Sequence, residues 1–312
     1  MFIHNIDPII TGVSGVYLWY YGLAYAAGFL GIHFWFRLQR DRLGLSMRQV
    51  YDLSILFAGG VLLGGRLLEV FVYEWPFYSA HPHLIPAVWL GGMCTHGILL
   101  GAVLGMWAFC RIHGRSFLEV ADAIVIPGAF LLGIGRLGNF ADGQIVGRAT
   151  DAWWAIKFPD AEGFRHPVVL YDGIKNLLLI PLLLAIHRRP HAAGEVAGRF
   201  IFWYALPRIF IDLFREYPTE LLGIPTGQTL NIIMALAGAT LTVFTSRRGI
   251  RTPARGTPPA SPPSFVQPLA FAALLALSLT IPSDWTQDIP ARYGARHPGL
   301  AHSAWYPQIN TN

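Results

Sequence analysis

The chain has 312 residues, of which 54 % are hydrophobic and 13 % charged, with a formal net charge of +5. That balance excludes a soluble globular enzyme and describes a polytopic membrane protein. A nucleic-acid partner is also excluded, because the basic residues sit in short clusters between apolar runs and form no continuous face.

Met1 to Gly15 lacks the basic n-region of a cleavable signal peptide, so the first apolar run is read as an anchor. That run, Val16 to Phe36, opens with Tyr17, Trp19, Tyr20 and Tyr21, as expected where a helix enters through an interface, and stops at Arg37, Arg40 and Arg42. Further spans are expected at Tyr51 to Tyr73, Gly91 to Cys110, Phe117 to Phe140, Val168 to Ile186, Phe200 to Phe214 and Gln228 to Phe244. The fourth ends in the turn chemistry of Asp142-Gly143. Cys94 and Cys110 share the third run, about 24 Å apart on a helix and too far to bridge.

An all-α fold follows. Residues 1–246 form a seven-helix core with an outer excursion at 141–167, and the Arg- and Pro-rich stretch 247–264, with its TPPASPPS, reads as a semi-rigid linker. Residues 265–281 supply an eighth transmembrane helix, marginal in length. The polar tail, 282–312, shows no period from which a role can be read.

Lys and Arg accumulate on the cytoplasmic side of a membrane protein and set its orientation. With the amino terminus outside, the inner loops hold thirteen basic residues, among them Arg111, Arg115, Arg188, Arg247, Arg248, Arg251 and Arg255. The outer segments hold six: Arg148, Lys157, Arg165, Arg215, Arg292 and Arg296. The end of the fourth span therefore faces outward.

Charges within the spans are costly and mark polar cavities or partners. Arg136 and Arg208 fall near the outer ends of two spans, and two guanidiniums at one depth suit a bidentate grip on a phosphate. His96, at similar depth, is the candidate base, histidine being the side chain type that changes charge nearest physiological pH. Competing readings exist: Arg66 with Glu69 (i, i+3) reads mainly as a structural bridge, and Arg208 with Asp212 (i, i+4) divides evenly between bridge and site. Arg136 has no acidic neighbour at helical spacing before it. Asp122 reads as an inner-end cap or neutraliser. Gly133, Gly135 and Gly138 match a dinucleotide-loop pattern, but an apolar helix precedes them, so they are read as close packing or lipid approach. Cys94 and His96, at i and i+2 of a helix, are not expected to face each other.

The segment Gly135 to Gly147, GRLGNFADGQIVG, resembles G-R-x-G-N-F-x-N-G-E-x-x-G, the pattern of the prolipoprotein diacylglyceryl transferases of bacterial inner membranes. Supporting segments, in the family's order, are Tyr21-Gly-Leu, Gly91-Gly-Met with His96-Gly, HPVVLYD from His166, Tyr204 with Arg208, Phe214-Arg215-Glu216 and Thr226-Gly-Gln. The resemblance implies transfer of diacylglyceryl from phosphatidylglycerol to a lipobox cysteine of a preprotein, at an active site on the outer face. It implies that Arg136 and Arg208 hold the headgroup, Asn139 orients it, and Tyr21, Tyr204, Gln144, Gly147 and Arg66 complete the site. No metal or soluble cofactor is implied. Asp142 and Gln144 replace the family's Asn and Glu, so the loop's carboxylate has moved two positions upstream, and Asp142 is read as its substitute. Glu69 stands where the family has a tyrosine. A paralogue serving another acceptor, or one with impaired transfer, is the nearer alternative. A lipid or small-anion transporter is the rival of another class, although the chain shows no internal repeat.

Overall fold

The computed structural model describes residues 1–13, 15–159, 161–215, 220–221, 224–247, 261–283, 293–294, 296–301 and 305–306. Most of the 247–264 linker, with Arg248, Arg251 and Arg255, lies outside the described residues, as do Glu216, Arg292 and much of the tail. The described chain is mostly helical: α1 (Tyr20–Leu43), α2 (Met47–Leu68), a short α3 (Trp75–Ala80), α4 (Thr95–His113), α5 (Phe117–Ala141), α6 (Val168–His187), α7 (Glu195–Ile211), α8 (Thr226–Ser246), α9 (Val266–Leu279) and a one-turn α10 (Pro298–Ala301). Strand pairing among the described residues consists of three small ribbons and isolated bridges such as Gly147 with Arg215. β1 (Phe2–Ile3) pairs in parallel with β4 (Ile156–Lys157), β2 (Ile9–Val13) forms a hairpin with β3 (Val16–Trp19), and β5 (Glu220–Leu221) one with β6 (Ile224–Pro225).

The fold is an all-α polytopic membrane bundle. Among the described residues, five helices are long and apolar enough to cross a membrane: Met47–Tyr73, Thr95–His113, Phe117–Ala141, Val168–His187 and Gly227–Ser246. Large side chains such as Phe34, Leu63, Leu100, Trp107, Leu178, Ile233 and Leu236 are exposed around them, as a bundle solvated by lipid requires. α1 is long but ends in Arg37, Arg40, Asp41 and Arg42, and α7 is 17 residues.

Local chemistry explains the boundaries. α1 stops at Gly44 in the left-handed conformation, with φ 61°. Ser46 then caps α2 in a reciprocal capping box with Gln49, their bonds 3.1 and 3.2 Å long. At the far end, α2 passes into a π-helical turn, Glu69–Tyr73. The first expected span is shorter at its start than its composition suggests, since Tyr17 and Trp19 belong to the β3 strand and the helix begins at Tyr20.

The helix connections gather at two rims. At one, Arg115 donates to the carbonyls of Leu43 and Gly44, and Arg48 N–H to Ser261 O at 3.2 Å. Asp122, expected as a cap, accepts there from the N–H groups of Gly194 and Ala197 at 2.7 and 2.8 Å, satisfying the first turn of α7. At the other rim, His4 bonds Phe140 O, Arg148 bonds Arg215 O, and Ser283 bonds Asp142. α9, only 14 residues long, runs between the rims against α1 and α2: Phe271 stacks on His33, and Gln267 bonds Asp52. Tyr293, Leu300 and Tyr306 of the tail are buried with Trp19, Val70, Tyr78 and Leu84 in an apolar cluster at the second rim. The described part of the tail is thus part of the fold, tied by contacts that no local pattern announces.

The tightest helix pair is α2 with α4. A β-carbon at Gly60, Gly64, Gly97, Gly101 or Gly105 would collide with a backbone carbonyl of the facing helix, so only glycine permits this approach. Gly59, on the same helix, meets nothing within 4 Å. Gly101→Leu is therefore expected to destabilise the protein by about 3 kcal/mol or more, as overpacking of a closed contact does. Gly59→Leu is expected to be neutral. Thermal unfolding midpoints in detergent measure the difference, and equal midpoints would refute the contact.

Candidate active site

GIGRLGNF forms the last two turns of α5, so Arg136 and Asn139 project one turn apart at the second rim. α6 starts after His166-Pro167 and presents Asp172 and Lys175 from its first turns, while α7 presents Tyr204 and Arg208 near its end. These three helices meet at Asp172, which is 1 % exposed. Its Oδ2 accepts from Arg136 Nε at 2.6 Å and from Arg208, and Lys175 Nζ lies 2.9 Å from Oδ1. Lys175 also donates to the Tyr204 carbonyl at 3.0 Å and sits 3.9 Å over the Tyr204 ring. Arg208 Nε lies 3.3 Å from Asp212, which also takes Asn231 Nδ2 of α8 at 2.9 Å and Arg215 at 3.9 Å. Asp212 thus pairs with Arg208 and Arg215 at once.

Arg136 is thus not unpaired. Its partner comes from a different helix, beyond the reach of helical spacing. Three cations, Arg136, Lys175 and Arg208, still converge on the one carboxylate of Asp172, so the point where they meet keeps a positive surplus. Desolvated cations bound to too few anions form a site for a further anion.

Two pockets of about 590 Å³ each meet at Arg136, sharing Tyr21, Thr95 and Asn139 as walls. One is apolar, closed by Ile98, Leu99, Leu131, Leu132 and Tyr204. The other is polar, bounded by Glu69, Gly92, Met93, Gln144, Ile145 and Ser283. Asn139 Oδ1 accepts from Arg136 at 3.2 Å, and Tyr21 and Tyr25 share a hydroxyl bond of 3.2 Å. Ile145 has a φ of 58°, a left-handed conformation that a β-branched residue rarely adopts, and such backbone strain concentrates at functional sites. Of the three glycines in GIGRLG, Gly133 packs on Leu177 and Gly138 on Tyr21, while Gly135 opens onto the apolar pocket.

Arg136, Asn139, Tyr21, Tyr204 and Gln144 line these two pockets, with Arg208 joined to Arg136 through Asp172. Four other candidates stand elsewhere. His96 lines neither pocket; it is exposed and bonds the Tyr73 hydroxyl through Nδ1 at 3.1 Å. Its neighbour Thr95 takes the pocket wall, because one residue of rotation on α4 separates the two faces. Cys94 Sγ lies 3.9 Å from His96, against the helical expectation, since Cys94 precedes α4 in extended conformation. Arg66 is buried and spends its guanidinium on the carbonyls of Leu84, Ile85, Ala87 and Gly91, moulding the segment after α2, and forms no bridge to Glu69. Gly147 passes between His166 and Phe214, where a β-carbon would fall 2.6 and 2.8 Å from their carbonyl oxygens. Asp142 is buried and accepts from Ser283 N and Oγ at 3.2 and 2.6 Å. Outside the spans, His166 bonds Tyr171 and is held below its usual pKa by burial.

Asp172, Lys175, Thr95 and Glu69 were not expected among the site residues. Asp172 and Lys175 stand at i, i+3 directly after the HPVVLY motif, a signal that was present. Their convergence on Arg136 and Arg208 required the fold.

Fold and site together define an integral membrane protein whose cationic centre joins an apolar and a polar pocket. The sequence model of the prolipoprotein diacylglyceryl transferases matches residues 8–244. The chain is 38 % identical over 255 residues to the phosphatidylglycerol–prolipoprotein diacylglyceryl transferase of Geobacter sulfurreducens, covering 79 % of this chain and 98 % of that one. It is 36 % identical over 245 residues to the enzyme of that name from Legionella pneumophila strain Corby (75 % and 95 %), and 37 % over 256 residues to that of Mannheimia succiniciproducens (78 % and 94 %). This chain belongs to the prolipoprotein diacylglyceryl transferase family. α9 and the tail lie beyond the matched residues.

Asp172→Asn is expected to cost about 3–5 kcal/mol of stability, because it strands buried cations that the carboxylate holds. Asp172→Glu should recover part of it. Unfolding midpoints in lipid nanodiscs read this out, and an unchanged Asp172→Asn midpoint would remove the cluster's structural role.

Proposed function

We propose that this protein transfers the diacylglyceryl group of phosphatidylglycerol to the cysteine thiol of a lipobox preprotein, forming a thioether and releasing glycerol phosphate. One observation carries the reading: the cation surplus around Asp172 lies where an apolar pocket meets a polar one. An amphiphile with an anionic headgroup matches that seam, its acyl chains on the Leu99 and Leu131 side and its phosphate at Arg136. Arg136 and Arg208 neutralise the charge that grows on the departing phosphate, and this kind of fixed donor is among the largest contributors to catalysis. The Asn139 amide, one turn after Arg136, orients the phosphate, and Tyr21 and Tyr204 bound the glyceryl group.

The site belongs on the outer side of the bacterial inner membrane, because the opposite rim carries the denser basic charge. Residues 1–246 form the catalytic core, and α9 with the tail is an addition to it.

Purified protein incubated with phosphatidylglycerol and a lipobox peptide is expected to yield a thioether-linked diacylglyceryl peptide, detected by mass spectrometry. Arg136→Lys keeps the charge but loses the forked donor, and should lower the rate by about 10²-fold. No product above a buffer control would sink the proposal, and lipid flux without covalent product would favour a transporter.

A further inference from the structure

Among the described residues lining the polar pocket, Glu69 is the one carboxylate. It is 5 % exposed, and its Oε1 is buried with no hydrogen-bond partner among the described residues. It opens the π-turn Glu69–Tyr73, closed by Glu74 N–H on the Glu69 carbonyl at 2.9 Å. Such turns are rare and cluster at functional sites. Leaving a carboxylate oxygen buried without a donor costs free energy, and a fold keeps that cost where a ligand will meet the group.

The neighbouring groups leave Glu69 available. Arg66, one turn earlier, is bonded to four carbonyls of the following segment. Arg136 is tied to Asp172. Gln144, Asn139, Thr95 and Ser283, which share the pocket, are neutral. Asp142 is engaged by Ser283 and does not line the pocket. Among the described residues, the titratable and charged groups facing Glu69 are thus Arg66, Tyr73 and Glu74 on its own segment, Arg136 from α5 and Tyr21 from α1.

We infer that Glu69 is the catalytic base that accepts the proton of the acceptor thiol, an inference that rests on the transferase reading above. The carboxylate takes the S–H proton, and the sulfur electron pair forms the S–C bond to the glyceryl carbon. The C–O bond to phosphate breaks, its pair leaves with glycerol phosphate, and Glu69 then passes the proton to that phosphate or to water. Asp142 serves instead to hold the segment after α9 against the pocket rim.

The full chain in phosphatidylglycerol nanodiscs, given a lipobox peptide, tests this. Glu69→Gln should lower kcat by about 100-fold or more and abolish the rise of rate with pH, while KM for the lipid stays unchanged. Glu69→Asp should keep a measurable rate, and adding Gln144→Glu to Glu69→Gln, which returns a carboxylate to the same pocket, should restore turnover even where Glu69→Gln alone accumulates poorly. Asp142→Asn should retain the wild-type pH profile. A Glu69→Gln rate within about 3-fold of wild type, or a loss confined to KM, would overturn the assignment while leaving the transferase reading standing. An inactive wild type would remove that reading, and the base with it.

Discussion

The bundle end depends on one buried carboxylate. Asp172 draws Arg136 of α5, Arg208 of α7 and Lys175 of its own helix to a single point, and three cations at that depth would otherwise repel one another in a poorly screened setting. Asp212 repeats the device one turn along α7, with Asn231 bringing α8 into it. What matters for function is that the neutralisation is incomplete. Full pairing would give a stable bundle without affinity for an anion, and no pairing would give a strong anion site that the fold could not hold. Three cations gathered on Asp172 sit between those limits.

The opposite wall of the site is set by contact between backbones. Glycines on α2 and α4 let the two helices approach until carbonyls touch Cα positions, and this carries Thr95, Met93 and Glu69 to face Arg136 and Asn139. A third wall comes from outside the residues that the family's sequence model matches: Ser283, just past α9, lines the polar pocket and binds Asp142. The C-terminal addition therefore reaches the site itself through one serine, and the tail aromatics Tyr293 and Tyr306 fasten it to the β3 side of the rim.

Much of this was legible in the residues, and the parts that were not share a reason. Spans follow from length and hydropathy, and the motif around Arg136 and Asn139 marks chemistry without coordinates. Yet Asp172 is 36 residues from both of its arginines, whereas helical spacing reasons over three or four. His96 was placed by depth alone; depth was insufficient, since rotation about α4 gives the wall to Thr95. Arg66 with Glu69 looked like a bridge on an ideal helix, but the π-turn at Glu69 alters the register and the carbonyls of residues 84–91 claim the guanidinium. Cys94 and His96 escaped the helical rule for the related reason that the helix begins after Cys94. Asp142 was credited with a missing charge from its position in the motif, and the segment after α9, invisible to that motif, is what occupies it.

The seam between the two pockets bears on why the site lies at the end of a span and not at its centre. In the proposed reaction the bond that breaks joins an apolar diacylglyceryl half to a charged phosphoglycerol half, so each half needs a different solvent. Arg136, shared by both pockets, puts that bond on the boundary. In that proposal the thiol enters from the polar side, where Glu69 lies, the leaving phosphate departs by the same side, and the diacylglyceryl product never has to leave its apolar pocket. A site deeper in the bundle would desolvate the leaving dianion at a cost of several kcal/mol. One at the surface would surrender the low dielectric that makes two arginines effective. The end of α5 is the depth at which both penalties are small.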